Sequence, residues 1–342
     1  MSFIQLARIP RPPMAQSLAN INAPSILLVK TSSLGDVIHN LPVVSDIIHH
    51  YPGAHIDWVV EDCFVPLAKL HPGVRNVFPV AVRRWRNKLF NLSTWHEIFA
   101  FRTALSVQQY DFVIDTQGLI KSALLMRSAR GFHCGFDNHS AREPFASIFY
   151  QRGFFVATGQ HAVERNRQLV AQILDFVLET SADFGVQLPK IEALDWLTQN
   201  NYAVLLHATS RTDKLWSETN WIKLGNILRE ANIRCILPWG SNVEQERSLR
   251  IAAVIPDAFV PPHLDLNQAA VLLGKANAVI GVDTGLAHLA AAMNVPTVGI
   301  YTATSPTLTG LYANDRIINL GNIDRAPDVE SIMIALRKIG VC

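Results

Sequence analysis

Short apolar runs rich in β-branched residues alternate with helical segments from Ser25 onward, and this alternation restricts the fold more than any other feature. Such runs are typical of parallel strands, because crossover helices cover both faces of a parallel sheet. The first half contains four of them, at residues 26–30, 55–60, 76–80 and 112–115. Their spacing predicts a Rossmann-like domain.

A second series of runs lies at residues 203–207, 233–238, 258–260, 278–282 and 297–301. The 342 residues also exceed the roughly 250–300 at which one hydrophobic core stops growing. We therefore predict two Rossmann-like α/β/α domains whose parallel sheets face a central cleft. The predicted parts are a loose N-terminal extension (1–23), the first domain (24–185), the second domain (186–326) and a C-terminal helical segment (327–342) whose helix spans 328–339, with a hinge at 184–189.

The composition excludes several classes of protein. Hydrophobic residues make up 49% of the chain and charged residues 17%, which excludes a disordered chain. We expect no membrane span, since Lys275, Asp283 and His288 interrupt the most apolar stretch, and no secretion signal is visible. The four cysteines lie far apart, as is typical of a reducing cytoplasm, and a net charge of +2 argues against general nucleic-acid binding. We expect a cytoplasmic monomer that binds no nucleic acid.

Polar residues follow the first predicted strand, at the edge of the sheet where ligands of open α/β domains bind. The segment KTSSLGD, at 30–36, leads into a helical pattern. Gly35 permits a tight backbone there, and the carboxylate of Asp36 can accept a proton from an acceptor hydroxyl. The alternative is that Asp36 only caps the helix, which Asp does well.

Hydroxyls and cations follow a strand of the second half. In HATSRTDKLW, at 207–216, Thr209 and Ser210 can donate hydrogen bonds to phosphate oxygens. Lys214 can neutralise the charge that develops on a departing diphosphate. An ordinary polar loop with a hydroxyl-stabilised turn is the alternative.

A third junction, GVDTGLAH at 281–288, joins a strand to a helix of small residues. Asp283 or Thr284 can cap that helix, and Gly285 allows a close backbone approach. The free N–H groups and the helix dipole would hold a pyrophosphate, to which His288 can add a donor. The alternative for His288 is a buried histidine with satisfied hydrogen bonds.

Another predicted strand ends in LPWGSNVE, at 237–244. Acids just beyond a strand often bind ribose hydroxyls, so Glu244 is a candidate for this role. A glutamate that stabilises the first turn of a helix is the alternative.

Three motifs are missing from the sequence: a G-x-G-x-x-G after a strand, a Walker P-loop and a D-x-D pair. Their absence argues against a dehydrogenase, a P-loop kinase and a metal-dependent transferase. We therefore expect no metal and no cofactor.

A basic cluster lies in VRRWRNKLF, at 82–90, where cations alternate with aromatic and apolar residues. Arg83, Arg84, Arg86 and Lys88 can bind phosphate or carboxylate groups at a membrane surface. The alternative is a solvated helix start without a function.

Taken together, several unlike motifs occur in family-like order: KTSSLGDVIHNLP, RRWRNK, AREPFASIFY, QHAVER, HATSRTDKLW, LPWG and VDTGLAHLAAA. With them, nearly the whole chain from Ser25 resembles the lipopolysaccharide heptosyltransferases, which are inverting glycosyltransferases of family 9 with the GT-B fold. The resemblance implies transfer of heptose from ADP-heptose to Kdo of Kdo2-lipid A, without a metal, at the cytoplasmic face of the inner membrane. Ser210 and Ser217 depart modestly from the family pattern, and the N-terminal extension has no counterpart.

The resemblance also implies a role for each candidate residue. It makes Asp36 the general base and Lys214 the group that assists the leaving diphosphate. The donor site would comprise Thr209, Ser210, Lys214, Glu244, Asp283, Thr284, Gly285 and His288. The acceptor site would comprise Ser32, Ser33, Arg83, Arg84, Arg86, Lys88, Arg142, His161 and Arg165. Rival interpretations are transfer of a later heptose, a sugar-nucleotide epimerase of the same fold and a non-catalytic nucleotide-binding module.

Overall fold

Two parallel β-sheets form the framework of the protein. The structure is a computed structural model, and it describes residues 23–88, 90–191, 194–197, 201–312 and 314–341. In the first half, a sheet with strand order β3-β2-β1-β4-β5-β6 is built from β1 (Ser25–Val29), β2 (His55–Glu61), β3 (Val74–Val80), β4 (Gln109–Asp115), β5 (Arg130–Phe136) and β6 (Arg152–Phe154).

The second sheet has the order β11-β10-β9-β7-β8, and its strands also pair in parallel. It consists of β7 (Tyr202–Leu206), β8 (Arg234–Ile236), β9 (Ala278–Val282), β10 (Thr297–Tyr301) and β11 (Ile317–Gly321). In both sheets the strand order reverses next to the first strand of the half, which opens a crevice at the carboxyl ends of the strands.

Helices connect the strands and cover both sheets. The helices of the first half are α1 (Leu34–Ile38), α2 (Leu41–His50), α3 (Val65–Ala68), α4 (Val82–Asn87), α5 (Leu92–Val107), α6 (Ile120–Met126) and α7 (Ala162–Leu174). Those of the second half are α8 (Glu218–Glu230), α9 (Asn242–Ala252), α10 (Leu266–Gly274), α11 (Gly285–Ala292), α12 (Pro306–Thr309) and α13 (Val329–Lys338). Short 3₁₀ turns lie at Asp62–Phe64, Pro144–Phe149 and Thr212–Lys214.

The strands are apolar throughout because each face packs into a different core. Ile26 and Leu28 of β1 belong to a hydrophobic cluster that also contains Val204 of β7, so this cluster is continuous between the two halves. Leu27 points to the opposite face and packs into a second cluster, under α4 and α5. Leu205 likewise packs into a third cluster, under α8 and α13. The two halves therefore share one core, and each has an outer core of its own.

Most of the predicted strands are confirmed, and one is wrong. Residues 258–260 form no strand: Phe259 makes a single bridge to Ile236, since Pro261 and Pro262 follow and lack the N–H groups that would extend the pairing. Three strands were missed, namely β5, β6 and β11. β5 carries two glycines, an arginine and a histidine and so lacks a clear apolar pattern, whereas β11 is an apolar, partly buried run that the sequence interpretation overlooked.

The predicted C-terminal helix is confirmed, with Asp328 as its N-cap and Ile339 as its C-cap. It packs into the outer core of the second half through Ile332 and Leu336. Of the predicted extension at 1–23, all but Ala23 lies outside the described residues. In the described part of the chain, no helix is both long and apolar enough to cross a bilayer.

One buried ion pair ties α2 to α7. Arg167 donates to both carboxylate oxygens of Asp46, at 2.8 and 3.0 Å, and the two side chains are only 3% and 6% exposed. Arg167 also pairs with Glu164 at 3.1 Å, whereas the buried charge of Asp46 depends on Arg167.

We expect Arg167→Ala to lower the free energy of unfolding by about 3–5 kcal/mol, because it leaves a buried carboxylate unpaired. Urea unfolding would measure the loss. As a matched control, Arg229→Ala removes the partner of Asp257 from an exposed pair and should cost less than about 1 kcal/mol. Equal losses would mean that the buried pair contributes no more than a surface pair.

Candidate active site

A cleft of about 790 Å³ separates the carboxyl ends of the two sheets. Side chains from both halves line it, which is the arrangement expected where a reaction joins two substrates. The predicted residues in its lining are Ser33, Asp36, Arg83, Arg142, Arg165, Thr209, Ser210, Lys214, Asp283, Thr284, Gly285 and His288.

The first turns of α1 and α11 meet across the cleft. Leu34 packs against Gly285 so closely that a Cβ atom at Gly285 would collide with the Leu34 side chain. Gly285 was predicted to allow a close approach, and in the structure the group that approaches it is the Leu34 side chain of the other half. Nearby, Nε2 of His39 lies 3.1 Å from Nδ1 of His288, which links the same two helices.

Asp36 lies in the first turn of α1, three residues after the N-cap Ser33. Its Oδ2 atom accepts the Ser33 N–H at 3.0 Å and the Ser33 hydroxyl at 3.3 Å. The same oxygen is 3.5 Å from Nη1 of Arg142. The carboxylate therefore closes a capping box and also lines the cleft, so the two interpretations of Asp36 are compatible.

Two residues that the sequence interpretation missed hold the loop before α1. Oε1 of Gln117 accepts the N–H and the hydroxyl of Thr31, at 2.7 and 2.8 Å, and its amide nitrogen donates to the carbonyl of Ser32. Gln117 is positioned by Asp115, whose buried carboxylate accepts the Gln117 N–H at 2.8 Å. Burial raises the pKa of Asp115, although hydrogen bonds from Ser122 and Tyr150 oppose the shift.

On the opposite wall, Asp283 is surrounded by donors. Its Oδ2 accepts Lys214 Nζ at 2.6 Å and the Thr304 hydroxyl at 2.9 Å, while its backbone carbonyl accepts the Thr209 hydroxyl at 3.1 Å. His288 Nε2 is 3.8 Å from Oδ1. Burial alone would raise the pKa of Asp283, but the nearby His288 and the hydrogen bond from Lys214 hold it well below the ordinary value of 3.8. Asp283 is therefore an anion at neutral pH.

Three histidines form a cluster between the halves. His39 contacts both His288 and His161, with ring centroids 4.7 and 5.2 Å apart. Burial, with the neighbouring His288 and His161, holds the pKa of His39 well below its ordinary value. Burial also lowers the pKa of His161, whose Nε2 lies 3.0 Å from the carbonyl of Gly310. His39 and His161 are thus neutral at pH 7 and join the halves through hydrogen bonds.

Cations dominate the wall around Asp36. Besides Arg83 and Arg142, the lining includes Arg165 and the buried Lys30. Lys30 Nζ donates to the Thr116 carbonyl at 2.8 Å, and burial lowers its pKa. Burial and the nearby Arg142 also lower the pKa of Arg165. This concentration of positive charge favours an anionic ligand.

Six predicted residues lie outside the lining of the cleft. Glu244 accepts the Gly240 N–H at 2.7 Å in the first turn of α9. Arg84 pairs with Asp62 and Glu97 on the surface. Ser32 is buried and accepts Lys121 Nζ through its hydroxyl at 2.8 Å. The other three are His161, in the histidine cluster, and the exposed Arg86 and Lys88.

The comparisons with known proteins agree on one family. The family model described as glycosyltransferase family 9 (heptosyltransferase) matches residues 98–336. The chain is 46% identical to lipopolysaccharide heptosyltransferase 1 of Pseudomonas aeruginosa over 294 residues, which cover 85% of this chain and 82% of that protein.

Two solved structures of the Escherichia coli heptosyltransferase WaaC are also similar. The complex with ADP has a TM-score of 0.86 at 39% identity, covering 92% of this chain and 100% of that one. The complex with ADP-2-deoxy-2-fluoro heptose has a TM-score of 0.83 at 38% identity, covering 92% and 99%.

We expect Gln117→Ala to lower the free energy of unfolding by about 1–3 kcal/mol, because it leaves the buried N–H of Thr31 without its acceptor. Chemical denaturation would measure the change. Thr31→Val removes only the hydroxyl bond to Gln117 and should cost less, about 0.5–1.5 kcal/mol. A Gln117→Ala protein that unfolds at the wild-type midpoint would show that these bonds do not hold the loop.

Proposed function

The chain belongs to glycosyltransferase family 9, the heptosyltransferases, and from this membership we propose the reaction that its cleft catalyses. The protein is a GT-B glycosyltransferase that uses ADP-heptose in the synthesis of the lipopolysaccharide core. We infer that it adds the first L-glycero-D-manno-heptose to Kdo of Kdo2-lipid A. One observation carries this proposal: Asp36 of one half and Lys214 of the other line the same cleft, together with several cations.

In the proposed reaction Asp36 is the general base. Its carboxylate takes the proton of a Kdo hydroxyl, and the resulting alkoxide attacks the anomeric carbon of the heptose on the face opposite ADP. The new bond joins the acceptor oxygen to that carbon. The bond to the diphosphate breaks, ADP leaves with the electron pair, and the configuration inverts. Arg142, 3.5 Å from Asp36, would orient the carboxylate.

We assign the donor site to the second half. Lys214, the hydroxyls of Thr209 and Ser210, and the amides at the start of α11 would hold the diphosphate and stabilise the charge that develops as it leaves. Asp283 is itself an anion, so it would act indirectly: it holds Lys214 and lies near His288. Thr284 and Gly285 supply the helix terminus, and Glu244 remains a proposed ribose ligand.

The acceptor would bind on the wall of the first half. Kdo carries a carboxylate, and the lining there combines Arg83, Arg142, Arg165 and Lys30. Charge-assisted hydrogen bonds from arginine to carboxylates and phosphates are stronger than neutral ones. Arg84, Arg86, Lys88, Ser32, Ser33 and His161 complete the proposed acceptor set.

We further propose that no metal takes part, since cations and N–H groups can neutralise the diphosphate. Among the described residues, no group of three His, Cys, Asp or Glu side chains is arranged to hold a metal ion. The proposed setting is a monomer in the cytoplasm, at the cytoplasmic face of the inner membrane where the acceptor lies.

The test of this proposal is ADP release in the presence of excess EDTA. We expect ADP to form from ADP-heptose when Kdo2-lipid A is added, and not when the acceptor is omitted or already carries a heptose. UDP- and GDP-sugars should not replace the donor. The amount of ADP and the mass of the lipid product are measured together.

Each alternative has its own signature in that assay. Transfer only to the heptosylated lipid would make the protein an enzyme for a later heptose. Loss of turnover in EDTA that magnesium restores would contradict the metal-free mechanism. Conversion of the donor without any acceptor would indicate an epimerase or a hydrolase.

We expect Asp36→Asn to lower turnover by roughly 10² to 10⁴-fold, because an amide cannot accept the hydroxyl proton. Binding of ADP-heptose should change little, since Asp36 belongs to the half opposite the proposed donor site. The fold should also persist, because Asn can still accept the Ser33 N–H. Steady-state rates, donor calorimetry and melting temperature measure the three effects.

Asp265→Asn is a matched control for this substitution. Asp265 caps α10 through the Gln268 N–H, outside the lining of the cleft, so this variant should keep full turnover. Near-normal turnover of Asp36→Asn would leave Asp36 as a helix cap only.

A further inference from the structure

Helix α5 has two apolar faces, and only one of them is buried. Phe101 and Leu105 pack into the core under the helix. Leu92, Trp95 and Phe99, which recur at intervals of three and four residues, are 77%, 54% and 72% exposed. At 100° per residue this second stripe points away from the buried face. An amphipathic surface helix would carry polar residues there.

The exposed apolar surface extends beyond α5. Phe90, just before the helix, is fully exposed, and Phe145 and Ile148 of the 3₁₀ turn Pro144–Phe149 are about 70% exposed. This turn packs into the same outer core as α5, through Ala146. The two elements therefore cover the same side of the first sheet. A concentration of exposed aromatic residues on one side marks a contact surface.

The charges of this side are mostly positive. Residues 82–107 contain five cationic residues, Arg83, Arg84, Arg86, Lys88 and Arg102, and one acid, Glu97. Glu97 and the nearby Asp62 both pair with Arg84, so Arg84 balances one of their two negative charges, and the other four cations of residues 82–107 outnumber the one that is left. Arg86, Lys88 and Arg102 are exposed. Glu143, beside the 3₁₀ turn, accepts the Ile120 N–H at 2.7 Å.

The segments that precede these two elements in the chain reach the cleft. Arg83, in the first turn of α4, lines the cleft, and so does Arg142, two residues before Pro144. A ligand bound by these two arginines would thus lie close in the chain to both apolar elements.

We propose that α5, Phe90 and the 3₁₀ turn Pro144–Phe149 form a docking surface for an anionic phospholipid bilayer. This proposal rests on the proposed function, in which the acceptor is a membrane glycolipid. The aromatic side chains would enter the interface between headgroups and acyl chains, and Arg86, Lys88 and Arg102 would bind lipid phosphates. Arg83 and Arg142 would bind the acceptor sugar while its acyl chains remain in the bilayer.

Cosedimentation with lipid vesicles, without any substrate, tests the docking surface. We expect the wild-type protein to bind vesicles of phosphatidylglycerol and phosphatidylethanolamine, and to bind phosphatidylcholine vesicles or vesicles in high salt more weakly. The triple variant Leu92→Ser, Trp95→Ser, Phe99→Ser should bind the anionic vesicles about tenfold or more weakly. Phe90→Ser should weaken vesicle binding as well. Because Phe90 is fully exposed, this variant still tests the surface if the triple variant fails to fold.

A control variant separates this surface from exposed apolar residues in general. Leu249→Ser with Val254→Ser removes two exposed side chains near α9, in the second half, and should leave vesicle binding unchanged. The triple variant should also keep its turnover on a water-soluble acceptor without acyl chains, since its three residues lie outside the cleft.

Three results would contradict the docking surface. The first is a wild-type protein that does not bind anionic vesicles at all, and the second is variants that bind them as tightly as the wild type. The third is a wild-type dimer that the triple variant converts to a monomer. The last result would mean that a second copy covers the stripe. If vesicle binding depends on the stripe but no acceptor releases ADP, the proposed function fails and the docking surface stands.

Discussion

The contact between the first turns of α1 and α11 is the constraint on which the cleft depends. Helix α1 has only five residues and cannot hold its own direction, yet it carries Asp36. Leu34 anchors it against Gly285, and the contact between His39 and His288 links its other end to the same partner helix. The distance between the two walls is therefore set by side-chain packing of one half on the other. A Cβ atom at position 285 would collide with Leu34, so a larger residue there would require the Leu34 side chain or the walls to move.

Polar contacts beneath α1 complete this arrangement. Gln117 binds both Thr31 and Ser32, so the loop that leads into α1 is fixed to the end of β4. Asp115 in turn fixes Gln117. Since these groups are buried, each hydrogen bond is costly to lose, and the position of Asp36 is tied to the core of the first sheet. Lys30, one of the cations of the lining, is held by the same segment, because it donates to the Thr116 carbonyl.

Sequence patterns predicted the strands that open each half and the loops that follow them, because a buried parallel strand must be apolar and its ligands must come after it. What they could not predict were contacts between distant segments. Gly285 was predicted to allow a close approach of the backbone to a ligand, and the close approach that the structure shows there is to Leu34, 251 positions away. Gln117 follows the predicted strand at 112–115 directly, so the same reasoning applied to that junction could have found it. The contact of Glu244 could not be predicted either, because it depends on a turn that brings its carboxylate back to the N–H of Gly240.

The two carboxylates of the cleft differ in what already binds them, and this difference separates their roles. Asp283 receives Lys214 and Thr304 on one oxygen and has His288 near the other, so its pKa is far below neutrality and it is a poor proton acceptor. Among the described residues, Asp36 accepts hydrogen bonds from Ser33 alone, on a single oxygen, with Arg142 at 3.5 Å. An acid whose pKa is held low by donors is a weak base, whereas an acid with free acceptor capacity can take a proton. This difference supports the proposal that Asp283 orients Lys214 and that Asp36 is the base.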